Sequence, residues 1–321
     1  MFQPRSLLRI TASTALVLIG ALTFSLNGNP AFGSSSHKCK KPACDISAIG
    51  HRKFYNSGSV GNWFSLEKEK ELGEKYAAAV EQRVDLVKDA DLNAYVDRVA
   101  QRIVQNSDAD MPITVRIIRR NDAGAFTLFG GRLYLTTGLL LKLRSEGELA
   151  SVLARGIAHT AMHSVARLQT RATLMQVASI PVIDLDGLPH APSGNDLSVP
   201  TLGLVKFERD FELQADYFGI QYVYKSGYDT TCFLSAVQSL WQPDPNTTLS
   251  KAFSPFPPLA ERLKMLHQEI DDILPGRAEA AVSSSEFDEF LAHLRQIAPP
   301  PSVPDTDSRP KLIRHDPAVN D

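Results

Sequence analysis

Apolar residues recur at helical spacing along most of the chain, starting shortly after residue 62. The stretch 65–84, SLEKEKELGEKYAAAVEQRV, places its apolar residues on one face and has Ser65 at its start as a helix cap. The stretch 90–105, ADLNAYVDRVAQRIVQ, repeats the pattern. We predict two amphipathic helices in this part of the chain.

After these helices the apolar residues no longer recur at helical spacing, and the sequence indicates strands. The segment 113–120, ITVRIIRR, is rich in β-branched residues and predicts one strand. The apolar segments AFTLF and RLYLTT lie on either side of Gly130 and Gly131, which is typical of a β-hairpin. We therefore expect a small antiparallel sheet.

Apolar residues at helical spacing then return and continue, with interruptions, almost to the end of the chain. Ser145 and Glu148 form a capping box, which predicts a helix from Glu146 to about Gln169. A loop-rich insertion at 177–205 separates it from a helix that starts near Phe207. Two further helices are predicted in LAERLKMLHQEID and EFDEFLAHLRQI. The predicted fold class is α+β, mainly α.

The two ends of the chain differ from the domain between them. MFQPRSLLR, the apolar run ITASTALVLIGALTFSL and the small residues of NGNPAFG form the three parts of a secretory signal, here 1–33. The alternative is an uncleaved membrane anchor. We expect a linker at 34–60, one domain at 61–295 and a disordered proline-rich tail at 296–321. The protein is then exported to the periplasm or cell envelope, with a membrane partner only if the signal stays attached.

Composition narrows the choice of partners. The formal net charge is −2, with 34 basic and 36 acidic residues, so no basic field favours nucleic acid. Cys39 and Cys44 lie close together and could form a disulfide in an oxidising compartment, which the sequence leaves open. Cys232 lies in an apolar stretch and is expected to be a buried, unreactive thiol.

The candidate chemistry lies in residues 154–163, ARGIAHTAMH. At about 100° per residue, Arg155, Gly156, His159 and His163 share one narrow arc of the helix, and apolar residues cover the rest. A helix buried on nearly all sides needs partners or a cavity for such a polar arc.

Four segments, in order, resemble the family-48 zinc metallopeptidases, the HtpX relatives, and most closely their periplasmic BepA-like branch. They are GAFTLFGGRLYLTTGLL, SEGELASVLARGIAHTAMH, ERDFELQADYFGIQYVYKSGYD and SPFPPLAERLKML. The resemblance spans most of 62–270 and implies a zincin-like metallopeptidase domain. In that family, two histidines of a His-Glu-x-x-His helix and a later glutamate hold Zn²⁺, and the first glutamate is the general base.

This sequence departs from the family pattern at two essential positions. Arg155 stands where the first zinc histidine belongs, and Gly156 stands where the general base belongs. The resemblance assigns the second histidine to His159, the third ligand to Glu212 and the supporting aspartate to Asp216. Near the C-terminal segment, Phe256 replaces the histidine that usually precedes the proline.

An arginine is always protonated and cannot bind zinc, and glycine offers no base. His159 and Glu212 alone are one ligand short of a catalytic set. In a shifted register, His163 would join them as a third ligand, but Thr160 would then occupy the position of the base. The alternative for His163 is a histidine hydrogen-bonded within the polar arc.

We predict that Arg155 replaces the metal by a salt bridge. If zinc is absent, Glu212 and Asp216 are buried carboxylates that need a cation. The guanidinium of Arg155, at the position of the missing histidine, can pair with both. The alternative is that Arg155 extends to solvent.

These residues predict a catalytically inactive metallopeptidase relative that binds or helps to handle envelope polypeptides. No cofactor is expected. The hairpin residues Ala125, Phe126, Gly130 and Gly131 could present a strand edge to an extended peptide. Two alternatives stay open: an active, zinc-dependent envelope endopeptidase, and a purely structural envelope protein.

Overall fold

The computed structural model describes residues 46–54, 61–174, 183–184, 202–240 and 257–298, with the backbone alone at 174, 183–184 and 202–207. The predicted signal segment, Cys39, Cys44, Phe256 and most of the proline-rich tail lie outside these residues. Among the residues described, no helix combines the length and the apolar character needed to span a membrane.

Both N-terminal helices are confirmed, and polar side chains cap them. Helix α1 spans Leu66–Glu81, and the Ser65 side chain accepts a hydrogen bond from the Lys68 backbone N–H. Helix α2 spans Ala90–Val104, capped by the Asp89 side chain. Each cap binds backbone N–H groups that have no partner inside the helix.

The sheet contains three strands and a short fourth at its edge. Strands β1 (Thr114–Ile118), β2 (Ala125–Leu128), β3 (Arg132–Thr136) and β4 (Ile183–Asp184) lie in the order β1-β3-β2-β4. The hairpin of β2 and β3 is antiparallel, as predicted. Strand β1 is parallel to β3, so the prediction of a purely antiparallel sheet is wrong.

The parallel pairing follows from the path of the loop between β1 and β2. This loop spans the width of one strand, and β3 lies between β1 and β2 in the sheet. The Gly124 N–H donates a hydrogen bond of 2.8 Å to Thr136 Oγ1, and Thr137 Oγ1 donates one of 2.8 Å to the Arg120 carbonyl. The end of β3 therefore fixes the loop that precedes β2. A short helix, α3 (Thr137–Leu140), follows.

The central helix, α4 (Glu146–Ala161), is buried along its whole length, as the sequence predicts. Ser145 caps it by accepting a hydrogen bond from the Glu148 N–H at 3.2 Å. The reciprocal half of the capping box differs, because the Glu148 carboxylate accepts from the Arg144 N–H at 2.8 Å. Helix α4 packs against α2, and against α6 and α7, which follow later in the chain.

The predicted continuous helix to Gln169 is wrong. Helix α4 ends at Ala161, and a separate helix, α5, spans Ser164–Leu174. Between them, His163 has a φ of 51°, in the left-handed region that residues other than glycine seldom adopt. Apolar spacing continues across this break, so periodicity alone could not reveal it.

Four more helices follow among the described residues: α6 (Leu202–Lys225), α7 (Thr231–Leu240), α8 (Leu259–Asp272) and α9 (Ser285–Ile297). Helix α6 starts earlier than the expected Phe207, inside the predicted insertion. Cys232 on α7 is buried, as predicted, and burial raises the pKa of its thiol.

The end of the expected linker packs on the domain. Residues Ile46–Ala48 form a 3₁₀ turn, and Ile49 is 1% exposed. The Arg52 guanidinium lies 2.7 Å from the Asp108 carboxylate, with both side chains buried. This buried ion pair explains why a segment rich in small polar residues still has a fixed position.

Helix α1 and the hairpin tip are in such close contact that Gly73 cannot gain a side chain. A Cβ added at Gly73 would lie 2.4 Å from the carbonyl oxygen of Phe129. Alanine is ordinarily the better helix former. We nevertheless expect Gly73→Ala to lower the free energy of unfolding, measured by urea denaturation, by about 1–3 kcal/mol.

The control is Gly61→Ala, where an added Cβ meets nothing within 4 Å. It should leave the urea midpoint nearly unchanged. A Gly73→Ala variant as stable as the wild type would show that α1 and the hairpin tip are not in tight contact.

Candidate functional site

Three charged side chains meet where α4 packs on α6. The Arg155 Nε lies 2.6 Å from Asp216 Oδ1, and its Nη2 pairs with Glu212 Oε2. Arg155 and Asp216 are 0% exposed and Glu212 is 3% exposed. Glu212 and Asp216 are one turn apart on α6, so both carboxylates face the same side. The structure thus brings together the three residues of the predicted salt bridge, and Arg155 does not extend to solvent.

A second arginine, which the sequence did not single out, completes the cluster. Arg262 on α8 is 0% exposed, with its Nε 2.6 Å from Asp216 Oδ2 and its Nη2 2.9 Å from Asp216 Oδ1. Asp216 therefore binds two guanidinium groups. The helical pattern gave no sign that Arg262 is buried. Its only signal was its place in the C-terminal segment that carries the family resemblance.

Burial and the two arginines act in opposite directions on the carboxylates. Burial raises the pKa of Asp216, but Arg262 and Arg155 outweigh it and lower that pKa overall. Burial raises the pKa of Glu212 to about 7 in spite of Arg155 and Arg262. Asp216, which binds both cations directly, is the more firmly ionised of the two.

His159 lies beside this cluster as a neutral imidazole. Its side chain is 0% exposed, and its Nε2 is 3.5 Å from Glu212 Oε1. Burial, and then the charge of Arg155, hold the pKa of His159 well below its usual range. Among the residues described, neither ring nitrogen has a hydrogen-bond partner.

His163 belongs to a different group of side chains. Its Nδ1 is 3.1 Å from the Glu69 carboxylate, and its Nε2 is 3.4 Å from Asp110 Oδ2. Asn62 Nδ2 donates a hydrogen bond of 3.0 Å to Glu69. Burial lowers the pKa of His163, but hydrogen bonds with Asp110 and Glu69 outweigh it and raise the pKa to about 9. His163 is therefore protonated at neutral pH.

These residues do not fit a catalytic zinc ion. The guanidinium of Arg155 has no lone pair to give a metal and brings a positive charge to the position of the first ligand. The other metal-binding candidates, His159 and Glu212, are too few. His163 pairs with Glu69 and Asp110, and in the described ranges no three His, Cys, Asp or Glu side chains are placed to hold a metal.

The hairpin edge is paired where the sequence predicted a free one. Strand β2 lies between β3 and β4, with Phe126 opposite Asp184 and Thr127 opposite Ile183. The predicted peptide-binding edge is therefore not free at Phe126 in this structure. The physical reason is that a segment of the predicted insertion at 177–205 adds to the sheet as β4.

The buried cluster of Arg155, Arg262, Glu212 and Asp216 leads to a prediction about the free energy of unfolding. Removing Asp216 takes away a carboxylate that contacts two buried guanidinium groups. Loss of one partner from a buried ion pair commonly costs about 3–5 kcal/mol. We expect Asp216→Asn to lower the free energy of unfolding by about that amount in a urea titration.

Glu286→Gln is the control, because its pair with Arg98 is exposed, with side-chain exposures of 60% and 58%. It should cost less than about 1 kcal/mol. Equal costs for the two variants would mean that the Asp216 cluster does not stabilise the fold.

The raised pKa of His163 predicts that the free energy of unfolding depends on pH. Its pKa rises from 6.5 in the unfolded chain to about 9 in the fold, so the folded state favours the protonated ring. The resulting stability is present below pH 6.5 and is lost as the pH rises through about 9. His163→Gln should flatten this slope in urea titrations at several pH values. An unchanged slope in His163→Gln would contradict the assignment.

The sequence matches known proteins over the part that forms the buried cluster. The sequence profile of peptidase family M48 matches residues 90–270. A putative beta-barrel assembly-enhancing protease of Vibrio cholerae is 31% identical over 179 residues, 53% of this chain and 37% of that protein. The mitochondrial metalloendopeptidase OMA1 of Schizosaccharomyces pombe is 33% identical over 153 residues, 46% of this chain and 42% of that protein.

A third relative matches over more of its length. Metalloprotease YcaL of Escherichia coli is 22% identical over 273 residues, 84% of this chain and 98% of that protein. By contrast, the match to the Vibrio cholerae relative spans less than half of that protein. The profile match covers more than half of the chain and includes Arg155, His159, Glu212 and Asp216. The chain belongs to peptidase family M48.

Proposed function

We propose that this chain is a non-catalytic member of its family that binds unfolded or partly folded envelope polypeptides without cutting them. The observation that carries the proposal is the contact of Arg155 with Glu212 and Asp216. The cation at this site is a protein side chain, and the residue that follows it is Gly156.

Charge balance supports this reading of the site. In a His-Glu-x-x-His site, the metal contributes two positive charges and the general base one negative charge. Here Arg155 contributes one positive charge and Gly156 none, so the net charge facing Glu212 and Asp216 is the same. The two substitutions and the loss of the metal thus compensate one another electrostatically.

Among the described residues near Gly156, three polar side chains of the α4 arc are poorly suited to replace the missing base. His163 is already protonated at neutral pH, because Glu69 and Asp110 raise its pKa. His159 is a very weak base at its lowered pKa. Thr160 donates its hydroxyl to the Gly156 carbonyl at 3.1 Å. Loss of a general base alone commonly lowers a rate by about 10²–10⁴-fold.

The hairpin supports binding of an extended polypeptide. Strand β4 pairs antiparallel with β2 at Phe126 and Thr127, so this edge accepts a strand from outside the hairpin. An incoming peptide would pair in the same manner in place of β4, beside Ala125 and the Gly130-Gly131 tip. The names of the beta-barrel assembly-enhancing relatives, and the secretory pattern at 1–33, favour an exported protein and envelope polypeptides as ligands.

The test compares binding with cleavage. The full chain is mixed with reduced, carboxymethylated α-lactalbumin, a permanently unfolded protein, and with the native form. We expect saturable binding of the unfolded form by fluorescence anisotropy, no cleavage on gels, and no effect of EDTA, because no metal-bound water is required. Cleavage that EDTA abolishes would establish the alternative, an active endopeptidase. Absence of binding to either form would favour a purely structural protein.

A matched pair of variants locates the binding edge. Phe126 on β2 is partly buried and stacks on Tyr134, with ring centroids 4.8 Å apart. Val282, which is 48% exposed, is the control. We expect Phe126→Ser to weaken binding of the unfolded protein and Val282→Ser to leave it unchanged, with melting curves verifying that both variants fold. Equal affinities would rule out the β2 edge.

A further inference from the structure

A polar pocket formed by the segment after α2, by α6 and by α8 holds the side chain of Arg52. Residues 49–54, which we call the strap, carry Arg52 into this pocket. The Arg52 Nε donates a hydrogen bond of 2.9 Å to Asp108 Oδ2, and its Nη1 donates one of 2.7 Å to Gln221 Oε1. The pocket lies within residues 90–270 and the strap before them, so the pocket matches the family profile and its occupant does not.

Contacts within the domain fix the acceptor groups of the pocket. The Tyr222 hydroxyl donates a hydrogen bond of 3.0 Å to Asp108 Oδ2. Gln221 Nε2 donates one of 2.7 Å to Glu269 Oε1, so the carbonyl oxygen of Gln221 is the atom that faces the guanidinium. The domain itself therefore presents a carboxylate and a carbonyl oxygen to a ligand with several N–H donors.

An aromatic ring makes the pocket selective for arginine. The guanidinium carbon of Arg52 lies 5.1 Å from the ring centroid of Phe218 on α6, and 5.3 Å from that of Phe54 on the strap. The two rings contact each other, with centroids 4.3 Å apart. A guanidinium group is planar, stacks on aromatic rings and binds a carboxylate through two N–H groups, whereas the lysine ammonium is a compact point charge. The pocket is therefore suited to arginine rather than to lysine.

The pocket also binds the backbone of the strap. The backbone N–H groups of Gly50 and Arg52 donate hydrogen bonds of 2.7 Å and 3.2 Å to Asp108 Oδ1. Lys225 Nζ donates one of 2.7 Å to the carbonyl of Ile49, whose side chain is 1% exposed. One carboxylate thus binds both the side chain and the main chain of a short segment. These are the contacts of a bound peptide with an apolar residue three positions before its arginine.

We propose that this pocket is a binding site for arginine in a polypeptide and that the strap is its tethered occupant. The Asp108 side chain is 0% exposed, so departure of the strap leaves a buried carboxylate that needs a cation. Another polypeptide with the same spacing of apolar residue and arginine supplies that cation. The pocket and its tethered occupant follow from the contacts of the strap, and the use of the pocket by other polypeptides rests on the proposed function.

The first experiment uses a separate copy of the strap as the ligand. A fluorescein-labelled peptide of residues 46–54 is titrated with the full chain, and its anisotropy is measured. A tethered occupant has an effective concentration on the order of millimolar, so the wild type should bind the peptide weakly. Arg52→Gln weakens the tethered strap, and we expect it to bind the peptide saturably and about tenfold or more tightly than the wild type does.

Two controls test the chemistry of the pocket. A peptide with lysine at the position of Arg52 should bind Arg52→Gln about tenfold more weakly, because lysine lacks the paired N–H groups. Adding Asp108→Asn to Arg52→Gln should abolish binding. This double variant leaves no partner of the ion pair unpaired, so it should melt no lower than Arg52→Gln alone.

A second variant empties the pocket without removing a charge. Gly50 has a φ of 93°, in the left-handed region, where valine is strained. Gly50→Val should therefore also bind the labelled peptide more tightly than the wild type does, which keeps the test valid if Arg52→Gln does not fold. Absence of saturable binding in both variants, equal binding of the lysine peptide, or unchanged binding in the double variant would overturn the inference.

The second experiment separates this inference from the proposed function. Two unstructured peptides that differ only by arginine or glutamine, three positions after a leucine, compete with the labelled peptide for Arg52→Gln. Displacement by the arginine peptide alone supports both proposals. Binding of both peptides without displacement would contradict the use of the pocket by other polypeptides and leave the proposed function standing. Displacement by the arginine peptide without binding of unfolded α-lactalbumin would leave the pocket standing and contradict the proposed function.

Discussion

Glu212 and Asp216 lie one turn apart on α6, buried where that helix packs on α4. Two carboxylates in such a position require positive charge nearby, because burial opposes their ionised forms. Arg155 and Arg262 supply it from two different helices, so the cluster ties α4, α6 and α8 together. The packing of α4 on α6 and the packing of α8 on α6 therefore both depend on this charge balance.

Neighbouring charges also set the protonation of the two histidines on the polar arc, each through a different group of side chains. His159 lies beside Arg155 and stays neutral, whereas His163 lies beside Glu69 and Asp110 and stays protonated. One histidine is a weak base and the other is already protonated, so neither is suited to take a proton from water at neutral pH. The polar arc that in the family carries the metal site therefore holds one neutral ring, His159, and one protonated ring, His163.

Much of this could be predicted from the sequence, and the exceptions have one physical origin. Local patterns gave most of the helices, the hairpin and the buried nature of α4, but not α3 or α7, and the family resemblance placed Arg155 opposite Glu212 and Asp216. Long-range contacts decided the rest. His163 lies at the break after α4 and contacts Glu69, Arg262 is buried against Asp216, and β1 is parallel to β3 because a loop passes around β3. Periodicity along the chain carries no information about such pairings.

The central claim is that Arg155 occupies the place of the metal, and zinc-dependent melting tests it most directly. Wild type, Arg155→His and Arg155→Met are purified, analysed for zinc and melted with and without added zinc. We predict no zinc and no shift for the wild type, a loss of stability in Arg155→Met that zinc does not restore, and stoichiometric zinc with a raised melting temperature in Arg155→His, which would have three ligands. Stoichiometric zinc in the wild type, lost on removal of His159 or Glu212, would contradict the account.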